Sequence, residues 1–389
     1  MNITLKHTKD HVELVKAMAS NDIALANKAQ LAVAEFIEPV LNEVINKAPT
    51  VSNLFTTETF NEDSSPSLPL DLYSDIETED HLRIWSQTQP GGLATNMVLP
   101  PQQELKFMTY SLDSAYGFEK KYARQSRLGV VGKTFTRMLQ EVMIKEEKTT
   151  ASLIMSALAN ATTNGSKHVF RTGIKGRFLP DDLNKLRTLS KRINSAWNRG
   201  TPETRVGRGF TDLILSPEMI EEIYGMAYNP INTKGGVYTS IGTPSNTTAG
   251  DAAIAAPDSV REQMFNASGL SEFMGVSLME INELGVGQRF NDIFVAKAGT
   301  TTYADNYATP KNGGSAQAIQ SDEEIILAID LGRDSLFRMV AVDADKGSQF
   351  TVSPDNQFIV DRRGKIGFYG GREAGHVILD DRVLTGLIS

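Results

Sequence analysis

The chain of 389 residues contains no cysteine. That removes disulfide staples, thiolate nucleophiles and every zinc site built on thiolates, and it fits a reducing compartment. No apolar run reaches about 18 residues, the length that would cross a bilayer. The opening MNITLKHTKDHVELVKAM lacks the apolar centre and small-residue cleavage site of an export signal, so the expectation is a soluble, unexported protein with no membrane partner. Positive charge is not in excess either. A net charge of −8 and a pI near 5.3 argue against a chain that grips nucleic acid by neutralising its phosphates.

What the chain does have is a long helical stretch, Thr134 to Ala161, with no Gly or Pro inside it. Phe135, Leu139, Val142, Leu153 and Ala157, with Met138, Ile144 and Ile154 beside them, recur at helical spacing, and Glu141, Lys145, Glu146 and Lys148 are assigned to the opposite side. Such a rod would be about 42 Å long at 1.5 Å per residue. Before it, Val33, Phe36, Ile37, Val40, Leu41, Val44 and Ile45 form a second stripe, with Pro39 expected to kink that helix or to restart it. One apolar stripe on an isolated arm must lie on the rest of the chain or on a neighbour.

Between Thr56 and Lys106 the prolines cluster and short alternating runs such as Leu68-Pro69-Leu70-Asp71-Leu72 appear. Structureless loops of that length are uncommon in compact domains, so a two-stranded, protruding hairpin is expected. Its charge is one-sided: Asp75, Glu77 and Glu79 belong to a group of acidic residues that precedes the first base, Arg83. The sign reverses just before the long helix, at Lys120, Lys121, Arg124, Arg127, Lys133 and Arg137. These two stretches are candidate intersubunit contacts, in which the acidic hairpin of one copy lies across the basic approach of the next.

Further on, 162–177 reads as a Gly- and Thr-bearing loop. Pro180-Asp181-Asp182 opens a helix carrying Leu183, Leu186, Leu189 and Ile193, Asp212–Leu215 reads as a buried strand, and Ser216-Pro217-Glu218 begins another helix. Residues 229–258 read as irregular. In the last third, strands are expected at Val276–Ile281, Asp292–Ala296, Glu324–Ile329, Phe337–Val342, Phe358–Val360, Lys365–Tyr369 and Val377–Leu379.

Catalytic motifs are sparse. Gly129-Val-Val-Gly132-Lys133-Thr134 ends like a phosphate-binding loop, but Arg127 stands where the first Gly belongs. Ala328-Ile-Asp330-Leu-Gly332-Arg-Asp334 is similar to a nucleotide loop of the actin-type ATPases but lacks its second glycine, and reads as a strand ending in a turn. His7 and His11 are spaced for one helical face without a third ligand. His81, His168 and His376 pair with no nearby Ser or acid in sequence, and Asp380-Asp381 reads as a turn. No catalytic, cofactor or metal residue is assigned, and no cofactor is expected.

Taken in order, these pieces resemble the major capsid proteins of tailed bacteriophages with the Hong Kong 97-type fold. The resemblance is carried by Lys121–Ala161 as the spine helix, by Asp212-Leu-Ile-Leu-Ser-Pro217, by Phe273-Met-Gly-Val-Ser-Leu278, and by the ending Lys365-Ile-Gly-Phe-Tyr369, Arg372, Val377-Ile-Leu-Asp380 and Arg382-Val383. It implies an α+β fold divided into an N-terminal helical arm (1–55), an extended β-hairpin loop (56–110), a peripheral domain with the spine helix (111–210), an axial domain (211–349) and return strands of the peripheral domain (350–389).

It also implies a non-enzymatic shell protein that assembles in the host cytoplasm, as hexamers and pentamers, into an icosahedral virion around double-stranded DNA held without sequence-specific binding. A portal and a decoration protein are further partners. The family's founding member welds its subunits by a Lys–Asn bond from the extended loop. No Lys lies between Thr56 and Leu105, so the resemblance does not extend to that weld. About fifty residues are short for a built-in scaffold, so an uncleaved arm and a separate scaffolding protein are expected. Two other readings stay open: a bacterial nanocompartment shell, and a nucleotide-binding enzyme built on Lys133-Thr134 or Asp330–Gly332.

Overall fold

The computed structural model describes residues 8–48, 50–62, 64–69, 104–163, 166–172, 175–176, 178, 180–195, 209–228, 272–304, 316–332, 335–344, 347–355 and 364–389. The chain divides into two compact units, Met1–Ser74 with Gln89–Leu153 and Leu336–Leu379, and Asp75–Thr88 with Ile154–Ser335 and Asp380–Ser389. In chain order the elements are α1 (Lys9–Met18), α2 (Ile23–Lys47), β1 (Thr56–Asn61), β2 (Ser67–Pro69), β3 (Glu104–Lys106), β4 (Tyr110–Glu119), α3 (Lys120–Arg124) and α4 (Leu128–Asn160). Then come β5 (Thr162–Thr163), β6 (Ser166–Lys167), β7 (Val169–Arg171), α5 (Pro180–Ser195), β8 (Asp212–Leu215), α6 (Pro217–Tyr228), β9 (Glu272–Phe273), β10 (Val276–Glu280) and α7 (Arg289–Ala298). The chain closes with β11 (Thr302–Tyr303), β12 (Gln317–Ala318), β13 (Ile325–Ile329), β14 (Leu336–Val342), β15 (Thr351–Pro354), β16 (Lys365–Ile378) and β17 (Leu384–Ile388).

In the first unit, Thr8 and Asp22 cap α1 and α2 by accepting from the His11 and Ala24 backbone N–H groups. Pro39 does not restart α2, which runs 25 residues through it. Pro39 and Glu35, whose carbonyl loses its intrahelical donor, are both exposed, so the missing bond falls on the side open to water. The expected stripe is split. Val33, Ile37, Leu41 and Ile45 are buried, whereas Phe36 and Val40 are 50% and 42% exposed. The buried half joins a core with Phe135, Met138 and Leu139 of α4, Phe118 of β4 and Phe368 of β16. The Phe135 and Phe368 ring centroids lie 4.9 Å apart, and each such side chain contributes about 1.5–3 kcal/mol by leaving water.

The sheet of this unit runs β1-β14-β16-β15, with β4 also paired to β16. β1 is parallel to β14, and the other pairings are antiparallel. In place of the two short strands expected at Lys365–Tyr369 and Val377–Leu379, β16 is a single 14-residue strand running through Gly370, Gly371 and Gly375. The glycines there make room. A Cβ on Gly370 would stand 2.8 Å from Met138 Cε and 2.9 Å from the Phe350 ring, and one on Gly371 would stand 2.7 Å from Asp113 Oδ1. The antiparallel pair of β2 with β3 forms the base of the expected hairpin, whose body lies outside the described residues.

The second unit has a six-stranded sheet ordered β7-β17-β13-β8-β10-β9. Its central strand, Ile325-Ile-Leu-Ala-Ile329, is buried at every position and antiparallel to both neighbours. Leu183, Leu186, Leu189 and Ile193 of α5 and Met219, Ile220 and Ile223 of α6 share its core, and Ser216 Oγ caps α6 through the Met219 N–H at 3.1 Å. The strand expected at Asp292–Ala296 is instead part of helix α7. Phe290, Phe294 and Ala298, spaced by four, are its buried face, and that period overrides the β propensity of Ile293, Phe294 and Val295. The stretch expected to be a loop at 162–177 contains β5, β6 and β7. The expected strand Phe358–Val360 and the irregular segment 229–258 lie outside the described residues.

Candidate functional site

Helix α4 begins at Leu128, six residues before its sequence-based start, and its 33 residues span about 50 Å. The early start settles the phosphate-loop candidate. Gly129, Gly132, Lys133 and Thr134 are helical, the Val130 N–H is bonded to the Arg127 carbonyl at 3.0 Å, and the Thr134 hydroxyl donates to the Val130 carbonyl at 2.9 Å. A loop that cradles phosphate needs those donors turned outward. At the second candidate, Asp330 Oδ1 accepts from the Gly332 N–H at 3.1 Å, a turn closing strand β13.

Ahead of α4 lies the basic approach. Lys121, Arg124, Arg127, Lys133 and Arg137 are exposed and Lys120 is partly so. Lys121 meets Glu119 at 2.5 Å and lies 5.0 Å from the Tyr122 ring centroid, with Arg127 5.8 Å from the same centroid. Arg124 Nη2 donates to Asn21 Oδ1 at 3.0 Å, and Arg137 lies 5.6 Å from the Tyr116 ring centroid. The strip is thus a set of cations held out from the surface by aromatic and helical neighbours. Its intended counterparts Asp75, Glu77 and Glu79 lie outside the described residues.

A second constellation sits inside the first unit, and sequence reasoning missed it. Glu146, assigned to the solvent face of α4, is 3% exposed, whereas Ile144, assigned to the apolar stripe, is 57% exposed. Glu146 follows Val142 by four residues and precedes Thr150 by four, which sets it on the buried side. Its carboxylate gathers groups from three other segments. The hydroxyl of Ser52, in the 3-10 turn Val51–Leu54, donates to Glu146 Oε1 at 2.7 Å. Arg372 Nη1 of β16 reaches Oε2 at 3.1 Å, and Arg338 Nη1 of β14 stands 3.6 Å from Oε1. Arg338 also donates to Asn53 Oδ1 and to Thr57 Oγ1, at 2.7 Å from Nη1 and Nη2 respectively. Neither Nε nor Nη2 of Arg372 has a hydrogen-bond partner.

His376, scattered from any partner in sequence, completes this cluster. Its Nε2 lies 2.8 Å from Ser52 Oγ and 3.7 Å from Glu146 Oε1, and its Nδ1 lies 3.0 Å from the Tyr110 hydroxyl. Burial, opposed by Glu146 and reinforced by Arg338 and Arg372, lowers the pKa of His376 to about 4. Burial likewise brings Arg338 down to about 10 and lowers Arg372, and it raises the Tyr110 phenol with help from Glu146. A Ser, a His and a carboxylate have therefore met, but not as a hydrolase. Ser52 is 2% exposed, and the cavity beside it, lined by Ile45, Thr50, Ser52, Met143, Glu146 and Arg338, measures about 10 Å³, room for about one water and no substrate.

His11 packs on Phe36 with ring centroids 5.1 Å apart, and buried His168 turns Nδ1 to the Asp381 and Leu384 carbonyls. His7 and His81 lie outside the described residues, and among the described residues no three His, Cys, Asp or Glu side chains could hold a metal ion. Asp380 Oδ1 accepts from the Arg382 N–H at 2.9 Å, the expected turn.

No family model matches the chain and no curated protein matches it in sequence. Among solved structures it is similar to the capsid of Cyanophage P-SCSP1u, at 14% identity and a TM-score of 0.48 over 88% of both chains. It is similar to the Cyanophage Pam1 capsid at 9% identity and a TM-score of 0.47, over 88% of this chain and 89% of that one. It is also similar to the holo-SrpI encapsulin complex from Synechococcus elongatus PCC 7942, at 12% identity and a TM-score of 0.41 over 88% of both.

Proposed function

We propose that this chain is a non-enzymatic, shell-forming capsid protein, many copies of which close into an icosahedral virion around double-stranded DNA. The observation that carries this reading is the unfinished face of α2. Five of the ten large apolar side chains exposed among the described residues, Ile23, Leu25, Leu31, Phe36 and Val40, belong to that one helix, at 42% to 63% exposure. A helix packed on its own core along one stripe, with further apolar side chains left exposed beside that stripe, is built to meet a neighbour. The basic strip of α3 and α4 adds a second surface whose charge calls for an acidic complement.

In this reading 1–55 ties beneath an adjacent subunit and 56–110 lies over another, its Asp75, Glu77 and Glu79 crossing Lys120, Lys121, Arg124 and Arg127 of the neighbour. Residues 111–210 and 350–389 form the peripheral body, and 211–349 gather at the five-fold and six-fold axes. Assembly in the host cytoplasm would draw on a separate scaffolding protein, a portal and a decoration protein. A chain of net charge −8 would slide against packaged DNA without holding it.

Electron microscopy of the purified protein with a nuclease-protection assay tests the reading. Closed particles holding nuclease-resistant double-stranded DNA support it. Particles holding a protein cargo would favour a nanocompartment shell, and a persistent monomer would defeat both. Reversing Asp75, Glu77 and Glu79 to Lys is expected to leave the subunit soluble and to lower the yield of closed particles, most at low salt. An unchanged yield at every salt concentration removes the charge pairing.

A further inference from the structure

The cluster around Glu146 joins segments that are remote in sequence. The 3-10 turn and β1 directly precede the long hairpin, α4 is the longest helix, and β4, β14 and β16 are sheet strands. The contacts leave one proton arrangement for Ser52, His376 and Tyr110, with Arg338 Nη1 also donating to Ser52 Oγ at 3.3 Å. Ser52 gives its only proton to Glu146, so its oxygen must accept from His376 Nε2–H. Nδ1 is then the imidazole acceptor, and the Tyr110 hydroxyl donates to it. This circuit is closed for a neutral imidazole.

A second ring proton at Nδ1 would meet the Tyr110 O–H head-on and force that hydroxyl to turn away. It would also set a third cation, after Arg338 and Arg372, around a single carboxylate. The other groups facing the ring do not relieve it. Phe55 meets the ring edge-on at 5.3 Å, and Glu147, the other carboxylate nearby, already accepts from the Val51 N–H at 3.0 Å.

We propose that this cluster is an acid-sensitive lock. The neutral His376 fastens residues 51–61, and with them the base of the hairpin, to α4 and the sheet, and protonation releases them. The release concerns a single subunit and stands apart from the shell reading. Fastened, the 3-10 turn is tied through Ser52 to Glu146, and β1 through Thr57 to Arg338. Released, both lose their polar anchor while the apolar core of the unit, which His376 does not touch through charge, stays packed. The anchoring of residues 51–61 is therefore set by the protonation state of one buried ring.

Hydrogen exchange on the full chain, corrected for intrinsic rates, tests this at about pH 7 and about pH 4.5. Protection of amides 51–61 is expected to fall about tenfold or more in the wild type at the lower pH, and to change less than about twofold in His376→Gln, which keeps a donor toward Ser52 and cannot gain charge. Any loss at amides 325–329 of the second unit, whose strand pairs with β17 beside the buried His168, should be the same in both. Equal loss in wild type and variant, or no loss in the wild type, overturns the lock.

Should the variant not fold, the wild-type imidazole NMR titration decides. Tyr110→Phe, which removes the donor at Nδ1 and should raise the midpoint, identifies the His376 signal by its shift. A neutral Nε2–H ring persisting below about pH 5 upholds the proposal, and a midpoint at or above about pH 6.5 overturns it.

Discussion

Each unit buries arginine against glutamate, and the two solutions differ in balance. In the second unit Arg171 meets Glu323, with the exposed Lys175 at the rim of the pair, 4.0 Å from the same carboxylate oxygen. It is bonded to that carboxylate and to the Ala318 carbonyl at 3.2 Å, and the other oxygen of Glu323 accepts from the Gln320 N–H at 2.8 Å. One buried cation meets one buried anion, the second cation, Lys175, stays half-exposed at the edge, and the backbone uses what remains. In the first unit two guanidiniums share Glu146, and two nitrogens of Arg372 have no hydrogen-bond partner. A balanced pair is indifferent to pH until its carboxylate titrates. An unbalanced cluster depends on its histidine staying neutral. Burial makes either arrangement costly to break, because removing one partner strands the other's charge away from water.

Glu146→Gln breaks the unbalanced side outright. It leaves Arg338 and Arg372 side by side without a counter-charge, and denaturant unfolding of the full chain should show a loss of about 3–5 kcal/mol, the largest effect expected of any single change here. Arg171→Met in the second unit should cost less, about 3 kcal/mol, since the Arg171 side chain keeps 10% exposure, and that loss should not vary between about pH 7 and about pH 5.

Acid should weaken the first unit through His376, and buried His168, whose pKa burial also lowers, gives the second unit an acid-sensitive group of its own. The unfolded state binds the His376 proton near pH 6.5 and the folded state near 4. Stability is therefore complete above the unfolded value and falls as pH drops from about 6.5 toward about 4, by up to about 3 kcal/mol. An acid loss of similar size in the amides of both units would erase the contrast between them. Lys121→Ala, at the solvent-exposed ion pair with Glu119, should leave the denaturation midpoint unchanged, and a clear shift would mean that the strip is structural.

The same contrast marks what could be read from the chain. Val33, Ile37 and Leu41, Phe135, Leu139 and Val142 of α4 and the run Ile325–Ile329 announce their burial by period or by continuous apolarity, and their elements lie where the sequence suggests. The strand β4 hides because its inward positions, Leu112, Ser114, Tyr116 and Phe118, include a serine and a half-buried tyrosine, which blurs the alternation. β16 reads as two strands because its glycines look like turns until Met138, Phe350 and Asp113 are seen crowding them.

Glu146 is the sharpest miss. Helical phase placed it inward, but an unpaired acid is ordinarily sent to water, and its partners lie about 190 and 230 residues away. Arg338, inside Leu336-Phe-Arg-Met-Val-Ala-Val342, was the available signal, since a cation amid a buried strand requires an anion. The basic strip, by contrast, was legible as a run of charge, because exposed cations near one another in sequence need no tertiary partner.

The pairing of β4 with β16 sets residues 110–119 against 365–374. The first unit therefore takes its early helices from the opening of the chain and three sheet strands, β14, β15 and β16, from its close, with most of the second unit translated between Leu153 and Leu336. At typical ribosomal speeds those roughly 180 residues take about 10–40 s. Throughout that interval the apolar sides of α2 and α4 wait for strands that do not yet exist. The nascent chain thus has a built-in window in which a chaperone that shields bare helices would decide its yield.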